Sequence, residues 1–517
     1  MNGAEGLVLT ARASGIKVCF ANPGTTEMPI VVALDRVGGI KPVLCLFEGV
    51  CTGAADGYAR MTDRPAMTLL HLGPGFANGI ANLHNAKRAR SPVVNVVGDH
   101  ATWHRAADAP LTSDIISLAK PVSAWIKTVA SADSASTDLA EAIAVAGRNP
   151  GRIATLIVPA DCQWNECRQS TVAPPGEPAL PVPAQEAVEN AAKLLRQDGP
   201  SALLLGGLAL RERGLRAASR VARLCGCALI CETFPARVER GPDLPTLTRL
   251  PYFPEQAIQT LSGFRSIILA GARQPVAFFG YPNTPSYLIP PHVEVAELAR
   301  PEHDAAAALE ALADTLGAGA GGATTAHPQR PALPHGPLTA GAVGAVIAAL
   351  APDNAIVVDE AATSGLPFFS ASSNAFRHTY LALTGGAIGQ GLPCATGAAL
   401  ACPERRVISF QADGSAMYTL QALWTQAREG LDVITLICNN HSYRILQIEL
   451  ARAGIKEPGP AALKLTQLDN PPIDWVALAK GMGVEGVRVE NAESLAKALG
   501  RALSDRGPQL IEMVMAS

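Results

Sequence analysis

Charge is scarce in this 517-residue chain: Asp, Glu, Lys and Arg make up 17%, against 48% hydrophobic residues. That balance excludes a disordered chain and calls for well-buried cores. Neither sign is in excess. There are 42 Lys and Arg against 45 Asp and Glu, a formal net charge of −3, so nothing argues for a nucleic-acid or anionic-membrane partner. No CxxC pair occurs among the 11 cysteines, and an odd count without framework spacing fits a reducing compartment. Cys225, Cys227 and Cys231, the tightest group, touch the apolar run Leu224 to Ile230, which reads as a buried strand with structural thiols rather than a metal site. No secretory pattern opens the chain. The longest charge-free stretch, Thr379 to Pro403, carries many Gly plus Gln390 and Pro393 and is too polar for a membrane span. A cytoplasmic location is expected. GxxxxGK[ST], HExxH and GxSxG are absent, which removes the usual support for nucleotide hydrolysis, zincin chemistry and the serine hydrolase elbow. A Pro/Gly-rich stretch contains a formal GxGxxG, at Gly317, Gly319 and Gly322, that follows no strand and opens no helix.

What is present is a repeated alternation of short apolar runs with helical patterns. The length suits about three domains. Two Pro/Gly-rich linkers, Ala173 to Pro183 and Gly317 to Pro337, set the expected boundaries: 1–172, 184–316 and 338–517. Predicted strands in the first segment are Lys17–Ala21, Val43–Phe47, Ala66–His71, Val93–Gly98 and Ala154–Val158, with a helix over Gly49–Met61. The second holds Ser201–Leu205, Ala228–Cys231 and Ser266–Ala270; the third holds Ala355–Asp359, Val407–Ala412, Val433–Asn439 and Gln509–Val514. The fold class is therefore α/β: three consecutive domains, each a mainly parallel sheet flanked by helices.

The most informative stretch is Val407 to Tyr443. The strand VISFQA ends at Asp413-Gly414-Ser415, a helix runs on through Trp424 to Arg428, and the strand VITLIC ends at Asn439-Asn440. Both polar clusters fall at C-terminal ends of parallel strands, where open α/β sheets bind ligands. The Asp413 carboxylate and the Asn440 amide oxygen, with a loop carbonyl, suit Mg²⁺. Gly414 and Ser415 enter a helix N-terminus, a seat for diphosphate.

This order resembles the cofactor signature of thiamine-diphosphate enzymes, with Ala412 standing where that family has its first Gly. The resemblance implies that Asp413, Asn440 and the backbone carbonyl of Ser442 bind Mg²⁺. FEGVCTGAADGYAR resembles the family's glutamate segment and implies that Glu48 hydrogen-bonds the cofactor's aminopyrimidine ring and activates it. Val18 to Thr25 resembles the strand-to-turn segment near the substrate, and Leu70 to Asn78 the Gly-rich turn after the third strand, with Asn78 on the cofactor side. Gly386 to Pro393 resembles the turn with an apolar wedge, Ile388, between the two cofactor rings. The likeness covers nearly the whole chain. It implies an active site shared between the first domain of one subunit and the last of another, hence at least a homodimer and commonly a homotetramer.

Two subfamilies compete. NPGTTEMP, Asn22 to Pro29, resembles benzoylformate decarboxylase, which implies that Thr25 contacts the substrate carboxylate and that His71 is an active-site histidine. That enzyme's second histidine is missing: Arg273 to Tyr281 offers Phe278 and Phe279 instead. The other candidate is the acetolactate synthase large subunit, which joins two pyruvate units. Gly271 to Pro275 resembles its flavin-contacting stretch only in part, so FAD stays open but is not favoured. In both, a small 2-oxo acid loses CO₂. A third class, a cofactor-binding paralogue without catalysis, is motivated by Ala412 and the missing histidine; Glu48, Asp413 and Asn440 together argue against it. His100 and His104 have i,i+4 spacing but no third ligand, and their segment reads as a loop lining the substrate entrance.

Overall fold

The computed structural model describes residues 1–168, 171–173, 176, 179–319 and 327–516. Parts of both predicted linkers, including Gly322 of the GxGxxG, lie outside the described residues. The first sheet contains β1 (Val18–Asn22), β2 (Lys41–Leu44), β3 (Ala66–Leu70), β4 (Val93–Asp99), β5 (Trp125–Thr128) and β6 (Ile153–Pro159), in the order β2-β1-β3-β4-β6-β5. All its pairings are parallel. The middle segment supplies β7 (Ser201–Leu205), β8 (Ala228–Cys231), β9 (Val238–Arg240), β10 (Thr248–Arg249), β11 (Ser266–Ala270) and β12 (Glu294–Ala299). Five of these form a parallel sheet, β10-β8-β7-β11-β12. The sixth, β9, crosses to the third sheet and pairs antiparallel with β14 (His378–Ala382). The rest of that sheet is parallel: β13 (Ala355–Glu360), β15 (Val407–Ala412), β16 (Val433–Asn439), β17 (Glu485–Val489) and β18 (Gln509–Val514), in the order β17-β18-β16-β15-β13-β14.

Central strands such as β16, VITLICN, are buried along their whole length, because helices cover both faces of a parallel sheet. Three expectations need correction. The strand predicted over Val43–Phe47 is Lys41–Leu44, with Pro42 tolerated because β2 is an edge strand. Leu224 and Cys225 belong to the helix Glu212–Cys225, which Gly226 closes at φ 66° before β8 starts. The single helix expected from Asp413 to Arg428 is broken into a turn of α-helix at Asp413–Ala416, a 3₁₀ turn at Met417–Thr419 and a helix at Ala422–Glu429. It breaks where Thr419 Oγ1 donates to the Gly389 carbonyl at 2.8 Å.

The first and last segments meet through α1 (Glu48–Thr62), α2 (Leu72–Ala89) and α3 (Gly391–Ala401). Small residues in GVCTGAADGYAR let α1 and α3 touch backbone to backbone. A Cβ on Gly57 would lie 2.0 Å from the Cys394 carbonyl oxygen, and one on Gly397 would lie 1.9 Å from that of Ala54. Inside this contact Arg60 forks onto Asp56, with Nε–Oδ1 at 2.8 Å and NH2–Oδ2 at 2.6 Å, both side chains buried. Arg60 also donates to the Ala382 carbonyl at 2.7 Å and to Thr384 Oγ1 at 3.0 Å. Among the described residues, no helix is long and apolar enough to cross a membrane.

Candidate active site

Strand order fixes where ligands can sit. In the first sheet β2 and β3 flank β1 on opposite sides, so the chain reverses direction there and opens a crevice beyond the strand ends. The residues leaving β1, β2 and β3 are Pro23 to Glu27, Cys45 to Glu48 and His71. The third sheet repeats the arrangement around β13, flanked by β14 and β15; beyond its strand ends lie Ala361, Asp413 and Asn440.

At the first crevice Glu48 is the first residue of α1, where the helix dipole favours its charge. It is 8% exposed, and Asn78 Nδ2 donates to its Oε2 at 2.9 Å. Gly75 lets the other oxygen approach: a Cβ there would lie 2.8 Å from Glu48 Oε1 and 3.4 Å from His71 Cβ. Glu48 and His71 therefore share one wall. His71 Nδ1 lies 2.8 Å from Oε2 of Glu27, which is fully buried. The same carboxylate accepts from Gly24 N at 2.7 Å and Thr26 Oγ1 at 2.6 Å. An ionised carboxylate only accepts, so Nδ1 carries the hydrogen and Nε2 is the nitrogen left for other work. Glu27 was missed in the sequence, although it stands three residues after Gly24 in GTTE, at the spacing of a capping carboxylate. Thr25 is exposed at the start of the 3₁₀ turn Thr25–Glu27; it is Thr26 whose hydroxyl comes within 3.4 Å of His71 Nδ1.

At the second crevice Asp413 is 1% exposed; its Oδ1 accepts from Gly414 N at 2.8 Å, and its Oδ2 is buried with no hydrogen-bond partner among the described residues. Burial pushes this carboxyl up, against backbone N–H groups of Gly414, His441 and Asn440 that pull it down. Gly414 and Ser415 are buried behind it. Asn440 Oδ1 accepts from Ser442 N at 3.0 Å and Ser442 Oγ at 3.2 Å, so a cation there would replace the hydroxyl. Asn439 instead braces the strand end, donating to Glu512 Oε1 at 2.7 Å. The turn Gly386 to Gln390 carries Ile388, half-buried, and Gly386 lies against Phe278 of the middle segment.

Backbone strain marks the same places. Leu72 (φ 52°), Ala362 (φ 49°) and His441 (φ 54°) are non-glycine residues in the left-handed region, and they follow β3, β13 and β16. Such conformations cost roughly 1–3 kcal/mol each and gather at functional sites. His100 and His104 form no helical face: His100 lies in irregular chain after β4 and His104 in a turn, with ring centroids 5.4 Å apart, edge to face. Among the described residues, no group of three or more His, Cys, Asp or Glu could hold a metal, Cys225, Cys227 and Cys231 included.

Residues 1–118 match the family model "Thiamine pyrophosphate enzyme, N-terminal TPP binding domain", and residues 368–513 match "Thiamine pyrophosphate enzyme, C-terminal TPP binding domain". The chain belongs to the thiamine pyrophosphate enzymes. Among its relatives, IlvX of Mycobacterium tuberculosis, provisionally named an acetolactate synthase large subunit, is 50% identical over 518 residues, covering 100% of this chain and 99% of that protein. Benzoylformate decarboxylase of Pseudomonas aeruginosa is 32% identical, covering 97% of this chain and 96% of that protein. The solved thiamine diphosphate-dependent 4-hydroxybenzoylformate decarboxylase of Rhodococcus jostii RHA1 superposes with a TM-score of 0.87 at 25% identity, covering 100% and 99% of the two chains. This thiamine pyrophosphate enzyme is thus of the decarboxylase and acetolactate synthase type, and the two matched regions include Glu48 and His71 in one and Asp413 and Asn440 in the other.

Proposed function

We propose that the chain catalyses the thiamine-diphosphate- and Mg²⁺-dependent, non-oxidative decarboxylation of a 2-oxo acid, in the manner of benzoylformate decarboxylase. The observation that carries this reading is His71, fixed through Nδ1 by buried Glu27 and sharing the Gly75 wall with Glu48. When bound, thiamine diphosphate supplies an electron sink for the pair released as CO₂ leaves. Asp413, Asn440 and the Ser442 carbonyl would hold Mg²⁺; the partnerless Oδ2 of Asp413 fits a hard cation. Gly414 and Ser415 would bind diphosphate, and Gly386 and Ile388 would shape the cofactor. Glu48, steadied by Asn78, would offer Oε1 for a hydrogen bond to the aminopyrimidine ring and share a proton with it there. Thr25, exposed at the start of its 3₁₀ turn, binds the substrate carboxylate, and His71 Nε2 takes up a proton from solvent and passes it to the product carbon.

In this reading residues 1–172, 184–316 and 338–517 are the pyrimidine-binding, central and diphosphate-binding domains. The first domain of one subunit faces the last of another, so the working unit is at least a homodimer and commonly a homotetramer. Eleven cysteines without a CxxC pair suit a cytoplasmic setting, and the decarboxylation itself calls for no FAD. A second reading, the joining of two pyruvate units to acetolactate, is favoured by the 50% identity to IlvX. Purified protein supplied with thiamine diphosphate and Mg²⁺ is to be given benzoylformate or pyruvate and the products identified. Benzaldehyde with CO₂ supports decarboxylation; acetolactate from pyruvate replaces it with the second reading. Tight cofactor binding without CO₂ release from either acid or a wider panel would favour a non-catalytic paralogue.

A further inference from the structure

The peptide units on both sides of Ile388 are pinned. Before it, Asn85 of α2 holds Ala387 twice: Nδ2 donates to the carbonyl at 2.7 Å, and Oδ1 accepts the N–H at 3.2 Å. After it, the Gly389 carbonyl accepts from Thr419 Oγ1 at 2.8 Å and Asn82 Nδ2 at 3.2 Å. The next three N–H groups, of Gly389, Gln390 and Gly391, converge on one carboxylate, Glu360 at the end of β13. Its Oε1 accepts from Gly389 N at 2.7 Å and Gln390 N at 3.3 Å, and its Oε2 accepts from Gly391 N at 2.6 Å. Glu360 is 3% exposed, and no cationic side chain bonds it; three backbone donors are its hydrogen-bond partners. Burial pushes the carboxyl up to about 7, and the three donors pull the other way because each favours the anion. A buried carboxylate without a cation is costly, and a turn could be closed more cheaply by a neutral side chain. The arrangement makes sense if a rigid turn is what it secures.

We infer that Glu360 is a positioning residue that acts through Ile388: its carboxylate clamps the 389–391 backbone so that, with Asn85 fixing residue 387, the Ile388 side chain is presented at one height and angle. The inference rests on reading Gly386 to Pro393 as the turn that bends the cofactor. Glu360 itself makes no contact with substrate in this assignment.

The test is hydrogen–deuterium exchange on the full-length protein without added cofactor, followed by steady-state kinetics with thiamine diphosphate and Mg²⁺. Glu360→Gln keeps the shape but turns an amide NH₂ toward one of the backbone N–H groups, losing at least one charge-assisted bond. Exchange of amides 387–391 should rise about tenfold or more, while β15 and α1 keep their protection. The kcat should fall about tenfold with the substrate KM within roughly twofold; Glu360→Asp, which keeps the charge, should recover part of both. If Glu360→Gln does not fold, Glu360→Asp and Asn85→Ala carry the same readouts. Unchanged exchange at 387–391 would overturn the clamp. Loosened exchange with an unchanged kcat, while Ile388→Ala is impaired, would overturn the positioning role. Full activity of Ile388→Ala would instead sink the cofactor reading of the turn, and would leave the exchange result to stand alone.

Discussion

The two crevices occupy equivalent places in two sheets, yet their polar groups are finished differently. In the first, each carboxylate has partners within the chain: Glu27 takes Gly24, Thr26 and His71, and Glu48 takes Asn78. In the second, Asp413 Oδ2 and His441 Nδ1 are buried with no partner among the described residues. Buried polar atoms are nearly always paired, so each exception asks for an explanation. A satisfied network is set up to hold and move protons in a fixed geometry; an unsatisfied donor set suits a ligand that brings its own charge. The contrast matches the division of labour proposed above, with proton handling at one crevice and metal and diphosphate at the other.

The contrast can be broken most sharply at Glu48. Glu48→Gln should lower turnover by about 10²–10⁴-fold, the usual yield of a positioned proton-transfer group, with the melting temperature nearly unchanged. Retention of full CO₂ release would remove the first crevice from the chemistry. Next comes the tie between the two regions. Arg60→Leu strands Asp56 in the α1–α3 contact and should cost about 3–5 kcal/mol in denaturant unfolding; a loss below 1 kcal/mol would mean that Asp56 finds another cation. Asp413→Asn should divide two properties that move together at most sites. Burial holds that carboxyl up, so the neutral isostere should leave the metal-free protein as stable or more so, while Mg²⁺-dependent cofactor affinity falls at least about tenfold. Calorimetric titration alongside thermal melting would separate the two effects, and an unchanged affinity would contradict the metal assignment. An effect of similar size is expected at Glu27. Glu27→Gln weakens one charge-assisted bond to His71, worth about 1.5–3 kcal/mol or roughly 10–100-fold in turnover, with Glu48-dependent cofactor binding intact. A loss equal to that of Glu48→Gln would argue that the two carboxylates act as one unit.

Much of this was readable in the sequence, for a definite reason. Strands buried on both faces, such as Ser201–Leu205, Val407–Ala412 and Val433–Asn439, appear as unbroken apolar runs, and the structure has the same bounds. Strands such as Glu485–Val489, mostly exposed, and the two-residue β10 carry no such run and were missed. Glu48, His71, Asp413 and Asn440 stand at strand ends, where local sequence and topology agree. Glu27 and Glu360 escaped because their significance lies in what they bond, Gly24 and His71 in one case and the Gly389–Gly391 backbone in the other. Periodicity does not report such partners. The crossing of β9 into the third sheet was invisible for the same reason: three residues pair with a strand 140 positions later.

The backbone contact between α1 and α3 also sets a timetable. Arg60 finds the Ala382 carbonyl 322 residues further along the chain. At about 5–20 residues per second, a ribosome needs roughly a quarter-minute to a minute to make that partner. Once β6 completes the first sheet at Pro159, the glycine- and alanine-rich side of α1 stays exposed in the nascent chain for the rest of that interval. Expression yield should therefore depend on chaperones that shield this face during synthesis, and the isolated first segment should be the piece most prone to aggregate.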